Sequence, residues 1–142
     1  AAVLLADSRA AVAETLYNTP PVFAVYMACL VTRWLKKEGG IAEMDRRAKE
    51  RSGLIYDVID KSDGFYINTI APQARSRMNV VFTLAEEALT ELFVKEAADA
   101  GLTNLKGHRL AGGIRASLYN AQPKEAAQAL ANFMTVFAAR HG

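Results

Sequence analysis

The 142 residues hold one cysteine, two histidines, one tryptophan and four prolines. A single cysteine, Cys29, forms no internal disulfide, and the chain has no Cys/His spacing that suits a metal. Cys29 lies in an apolar helical run and reads as a small core residue, in keeping with a reducing compartment. Charge of one sign is also scarce: 17 Lys and Arg against 15 Asp and Glu leave a formal +2. That excludes the massed basic surface of a nucleic-acid binder. The tightest basic runs, Lys36-Lys37 and Arg46-Arg47, sit among acids and read as solvated helix faces. No apolar run is long enough for a membrane span of about 20 residues. The best one, residues 22–31, is soon followed by Arg33 and Lys36. No signal peptide is evident in the residues given, and they hold no phosphate-binding Walker loop and no Ser-His-Asp elbow. These absences leave an expectation of a soluble, cytoplasmic protein with no metal, nucleic acid or membrane as partner.

What is present suits one domain, or a large piece of one. Hydrophobic residues make up 51% of the chain. A compact chain of this length buries roughly 70% of its unfolded surface, so a real core is available. The start, Ala1-Ala2-Val3-Leu4-Leu5, opens in mid-pattern without a methionine or a cap and reads as cut from something longer. Residues 1–17 fit either a helix or irregular structure.

From Asn18-Thr19-Pro20-Pro21 onward the pattern is clearer. Thr19 suits a helix cap and proline suits the first helical turn, so a helix is expected from about 20 to 37, stopped by Gly39-Gly40. A second helix is expected over 41–60, with Ile41, Met44, Ala48, Ile55, Val58 and Ile59 on its apolar stripe. Ser62-Asp63-Gly64 is a turn. Residues 65–70 and 78–83 read as strands, joined by a loop through Pro72 to Ser76. A helix follows over 85–99, with Leu89, Leu92, Phe93 and Ala97 inward, then strands near 102–106 and 113–119. A last helix over 123–140 turns Leu130, Phe133, Met134 and Phe137 inward. The order α, α, β, β, α, β, β, α argues for an α+β fold with a mostly antiparallel sheet.

Three stretches could carry chemistry. In Lys106-Gly107-His108-Arg109-Leu110-Ala111-Gly112-Gly113-Ile114-Arg115, two arginines and a histidine meet through a glycine-rich bend. An arginine fork grips carboxylate or phosphate at two points, and glycine lets a ligand come close. Arg115 falls inside a strand of apolar residues, where a buried charge needs a partner. The stretch reads either as a turn with surface cations or as a site for a doubly anionic ligand. Asn18-Thr19-Pro20-Pro21 is either a plain helix cap or a phosphate grip at a helix start. Arg75-Ser76-Arg77-Met78-Asn79 reads as a loop entering a strand. Tyr26 and Trp34, at helical spacing, read as core, and His141 as a terminal, mobile residue.

Several segments, in order, resemble the phosphoserine aminotransferase family, pyridoxal-phosphate enzymes of the fold-type I group. They are Leu16-Tyr17-Asn18-Thr19-Pro20-Pro21, Trp34-Leu35-Lys36, Gly39-Gly40, Arg75-Ser76-Arg77-Met78-Asn79-Val80, Gly101-Leu102, Leu105-Lys106-Gly107-His108-Arg109 and Gly113-Ile114-Arg115-Ala116-Ser117-Leu118-Tyr119-Asn120-Ala121. The resemblance covers nearly the whole chain from Tyr17 on and corresponds to the C-terminal portion of the family. It implies residues 1–19 as a leading segment from the end of a large domain, and 20–142 as the C-terminal domain with two N-terminal helices.

The family moves an amino group between glutamate and 3-phosphohydroxypyruvate, in serine and vitamin B6 biosynthesis. The resemblance implies that Arg115 holds the substrate carboxylate, that His108 and Arg109 bind its phosphate, and that Asn18 and Thr19 contact the cofactor phosphate of a partner subunit in a homodimer. The family's Schiff-base lysine lies upstream of the Asn-Thr-Pro motif. Lysines 36, 37, 49, 61, 95, 106 and 124 all lie downstream of it. The chain is therefore expected to carry no catalytic residue of its own, to hold no cofactor covalently and to be inactive alone. Self-association through the apolar helix after Pro21 is expected too. The competing reading is a stand-alone anion-binding or regulatory module without catalysis.

Overall fold

The computed structural model describes residues 19–109 and 112–142. The chain divides into two units, Ala1–Ile41 and Ala42–Gly142.

In the first unit, helix α1 runs Val22–Lys37. Its N-cap is Pro21, at ψ 71°, and no side chain caps it. Thr19 is thus not the cap the sequence suggests. A proline disfavours helical geometry in the residue before it, so the Pro20-Pro21 pair holds the entry open and delays the helix to Val22. The Pro21 carbonyl accepts from the Val25 amide at 3.1 Å. At the other end the Glu38 amide donates to the Trp34 carbonyl, and Gly39 and Gly40 take positive φ. No residue of α1 is buried. Cys29 and Trp34 are half-buried and Tyr26 is exposed, so none is the core residue expected. The helix is apolar on more than one side, and periodicity alone did not locate its covered face.

Helix α2, Gly40–Asp60, lies almost wholly in the second unit. Met44, Ala48, Ile55 and Ile59 are buried as expected, together with Arg51, Ser52 and Tyr56. Ile41 is 85% exposed and does not belong to the stripe. After the turn at Asp63 and Gly64 comes β1, only Tyr66–Ile67. The expected strand over 65–70 stops early for a local reason. The Asn68 carboxamide donates to the Val81 carbonyl at 2.6 Å and accepts from the Ile70 amide at 3.0 Å, which replaces the ladder by an Asx turn.

A short 3-10 turn, Pro72–Ala74, leads to β2, Asn79–Leu84. Helix α3, Leu89–Asp99, follows, then β3, Lys106–His108, β4, Gly112–Ser117, and α4, Lys124–His141. β3 begins later than expected because Asn104 sits at φ 61°, outside strand geometry. The four strands form one sheet in the order β1-β2-β4-β3, every pairing antiparallel. This is the α+β arrangement the element order argued for.

Successive strand residues face opposite sides. Val80, Phe82 and Leu84 of β2, with Ile114 and Ala116 of β4, are buried against Ile55 and Ile59 of α2, Phe93 and Ala97 of α3, and Leu130, Met134 and Phe137 of α4. Phe93 is fully buried, with its ring 5.0 Å from Phe137 and 5.1 Å from Phe133 in edge-on contact. The Tyr66 hydroxyl donates to the Met134 carbonyl at 2.8 Å, so this buried aromatic has its polar end satisfied. His141 is not a loose end. It stacks on Phe137 at 4.4 Å, with Nε2 3.8 Å from Glu96.

Candidate functional site

The three helices pack on one face of the sheet and leave the other open within this unit. By alternation that open face carries Ile67, Asn79, Val81, Thr83, Arg115 and Ser117, all exposed or half-buried. The register sets their neighbours: Asn79 lies opposite Ser117, and Val81 opposite Arg115. Arg115 is exposed, which corrects the expectation of a charge sunk in a strand. A period of two, counted from Ile114 and Ala116, already puts it outward. The Arg115 amide donates to the Leu105 carbonyl at 2.8 Å, so its backbone is held from the other side as well.

Two glycines shape the ground beside it. A Cβ on Gly107 would come within 1.9 Å of the Gly112 carbonyl oxygen, and one on Gly113 within 2.8 Å of the Phe82 oxygen. The close approach of β2, β4 and β3 at this point therefore requires bare backbone. Gly112 and Gly113 also adopt positive φ, 66° and 65°.

His108 pairs with Gly112 at the hairpin end of β3 and β4, and Arg109 sits in the turn that follows. His108 shares the pleat row of Gly112 and Ile114, not that of Arg115. The three basic residues thus lie in two places, His108 and Arg109 at the hairpin end and Arg115 on the open face, rather than in one cluster. Of the other proposed contacts, Thr19 is exposed just before Pro20 and α1, and Asn18 lies outside the described residues.

Five of the other arginines are neutralised by acids, whereas Arg33 and Arg51, like Arg109 and Arg115, have no carboxylate partner among the described residues. Arg46, Arg47, Arg75, Arg77 and Arg140 each pair with a carboxylate, on Glu43, Glu43, Asp60, Asp45 and Glu96 respectively. Among the described residues, neither Arg109 nor Arg115 has a hydrogen-bond or ion-pair partner for its guanidinium. The four strands contain no Asp or Glu at all. An exposed arginine fork on a sheet whose strands carry no acid has the charge and the shape to accept an anion.

Residues 75–78 form a loop entering β2, as the sequence suggests, and side chains tie it down. Arg75 makes a two-point pair with Asp60 at 2.7 Å for each contact and lies over the Tyr56 ring at 4.7 Å. The guanidinium holds the Asp60 carboxyl below its ordinary range. The Tyr56 hydroxyl donates to the Ser76 carbonyl at 2.9 Å, and Ser76 Oγ accepts from the Met78 and Asn79 amides. These contacts fix where β2 starts. Asn79 and Ser117 are members of the open face that sequence reasoning passed over. The same two-residue period that marks Arg115 would have found them.

Among the described residues no group of His, Cys, Asp and Glu could hold a metal, and no helix is long and apolar enough to cross a membrane.

The family model of class-V aminotransferases matches residues 2–130 of this chain. The chain belongs to that family. Two relatives lie close by sequence. The phosphoserine aminotransferase of Shouchella clausii is 52% identical over 128 residues, covering 90% of this chain and 35% of the relative. That of Laribacter hongkongensis is 54% identical over 130 residues, covering 92% and 36%. The chain thus spans little more than a third of the length of these curated relatives. Among solved structures, the phosphoserine aminotransferase from Bacillus circulans subsp. alkalophilus matches with a TM-score of 0.84 and 43% identity, over 94% of this chain and 37% of that one. The pyridoxal-phosphate-bound phosphoserine aminotransferase from Trichomonas vaginalis matches with a TM-score of 0.77 and 39% identity, over 89% and 36%.

Proposed function

We propose that this chain is the substrate-gripping part of a phosphoserine aminotransferase. In an enzyme of the relatives' length, an amino group passes from glutamate to 3-phosphohydroxypyruvate, giving 2-oxoglutarate and phosphoserine. Arg115 takes the substrate α-carboxylate on the open sheet face. His108 and Arg109 take the phosphate at the hairpin tip. The observation that carries this reading is the pair of unneutralised arginines on and beside an acid-free sheet, since a substrate with two anionic ends needs two separated grips. The stand-alone module has no such support in length or family.

Pyridoxal phosphate supplies the electron sink in such chemistry. The residues present fit one end of it. Thr19 and the uncapped start of α1, with Asn18 before it, suit a phosphate. They do not fit its covalent attachment. All seven lysines lie at exposed positions, where nothing desolvates an amine into a nucleophile. No step of the reaction is therefore assigned to this chain beyond binding and orientation. We expect a homodimer for the whole enzyme, a cytoplasmic location and self-association of this chain through α1.

Titration with phosphoserine, followed by backbone NMR shifts, tests the reading. Saturable shifts at Gly113, Arg115 and His108 are expected, and Arg115→Gln should abolish those on the open face. Shifts that survive in that variant would overturn the assignment. Added pyridoxal phosphate should give no imine absorbance band. A stable band lost on replacing one lysine would contradict the account of the lysines.

A further inference from the structure

Asn79 sits diagonally from Arg115 on the open face, because Asn79 pairs with Ser117 and Val81 with Arg115. Diagonal neighbours in an antiparallel pair lie within reach of long side chains. The carboxamide is not free to turn at random. Ser117 Oγ donates to Asn79 Oδ1 at 3.2 Å, which holds the carboxamide, while the Asn79 backbone N–H donates to Ser76 Oγ at 3.1 Å and holds only the main chain. With Oδ1 occupied as an acceptor, the remaining polar group of the side chain is the NH2, a double donor. No partner for it occurs among the described residues. The neighbouring side chains, Val81 and Thr83, bring no charge, and the strands bring no carboxylate.

We propose that the Asn79 carboxamide is a further donor in the oxyanion grip of Arg115, with Ser117 fixing its orientation. This rests on the reading of Arg115 as the carboxylate grip. A carboxylate has about four acceptor sites, and a two-point arginine contact leaves some of them open. Asn79 Nδ2 fills one. The arrangement also serves selectivity, because three donors and no acceptor favour an ionised group over a neutral amide at the same place. Ser117 acts through Asn79 and is a positioning residue.

The test uses two probes on the whole chain, phosphoserine and O-phosphoethanolamine, which share phosphate and amine and differ by the carboxylate. Asn79→Ala should weaken phosphoserine binding about tenfold, as expected for one hydrogen bond to a charged acceptor. Binding of O-phosphoethanolamine should not change. Asn79→Asp, which places an acceptor beside Arg115, should abolish the preference for phosphoserine. Ser117→Ala, which leaves the backbone ladder intact, should lose a part of it, about two- to threefold. The inference is overturned if Asn79→Ala weakens both probes equally or neither, while Arg115→Gln still removes the preference. If Arg115→Gln leaves the preference in place, or if the wild-type chain shows none, the reading of Arg115 falls and Asn79 falls with it.

Discussion

Arg115 and Arg51 both lack a carboxylate partner among the described residues, but only Arg115 meets water. Arg51 is 2% exposed on α2, and its Nε and Nη2 find no hydrogen bond. Burial, and then the neighbouring Arg47, pull its pKa below the ordinary arginine value. A guanidinium stays charged even so. An uncompensated buried charge is costly, and an apolar replacement of similar volume is often neutral or stabilising. Arg51→Met should therefore leave the urea midpoint unchanged or raise it. A fall of about 2 kcal/mol or more in the unfolding free energy from the same urea curve would mean that Arg51 has a partner. For Arg115 the opposite holds. Arg115→Lys should not restore phosphoserine affinity, because an ammonium lacks the planar fork, and a loss of about one to two powers of ten is expected by titration calorimetry. Equal affinity for the lysine variant would contradict the role. The sequence marked Arg115 as unusual within its strand but took it as buried. Arg51 escaped notice because a single charge on a helical stripe looks like any solvated position.

At the level of elements, two glycines make opposite forecasts. Gly53 lies in α2, and a Cβ there would meet nothing within 4 Å. Gly53→Ala should stabilise by about 0.5–1 kcal/mol, read from the thermal midpoint. Gly107 lies in β3 where a Cβ meets the Gly112 carbonyl oxygen. Gly107→Ala should cost about 1–3 kcal/mol and should also weaken phosphate binding at the hairpin tip, since the pairing of His108 with Gly112 shifts. An alanine tolerated there without either effect would mean that the hairpin can repack. Helix α1 carries its own forecast. Val22, Phe23, Val25, Tyr26, Met27, Leu30 and Val31 are all exposed, and apolar patches of that extent rarely stay in water. Sedimentation should show self-association that Phe23→Glu with Tyr26→Glu reduces. A clean monomer at high concentration would refute it. The long helices and β2 were legible because their periods are sustained. β1 and β3 were not, since one Asx turn at Asn68 and one positive φ at Asn104 outweigh local strand preference.

For the whole molecule, α2 acts as an ionic hub. Glu43 pairs with Arg46 and Arg47, Asp45 with Lys49 and Arg77, and Asp60 with Arg75. Two of these pairs reach the loop that starts β2. All three carboxyls are held below their ordinary values, Glu43 down to about 2 by Arg46 first and then Arg47, Asp45 by Lys49 first, and Asp60 by Arg75. A carboxyl with a depressed folded-state pKa binds fewer protons than in the unfolded chain, whose values lie near 3.9 for Asp and 4.3 for Glu. Stability from these groups is thus fully present above about pH 5 and is lost as pH falls from there through the folded values. The thermal midpoint should drop between pH 5 and pH 3. Because the pairs are largely exposed, 1 M salt should shrink that drop, the screening length there being about 3 Å. Glu43→Gln should flatten it in part without altering the midpoint's response to Gly53→Ala, a site with no shared partner. Since Arg75 and Ser76 set the start of β2, acid should also loosen Asn79 before the core opens. The NMR shifts of Asn79 and Ser117 should then move at a higher pH than those of Phe93. Simultaneous movement of both sets would mean that the hub and the core unfold as one.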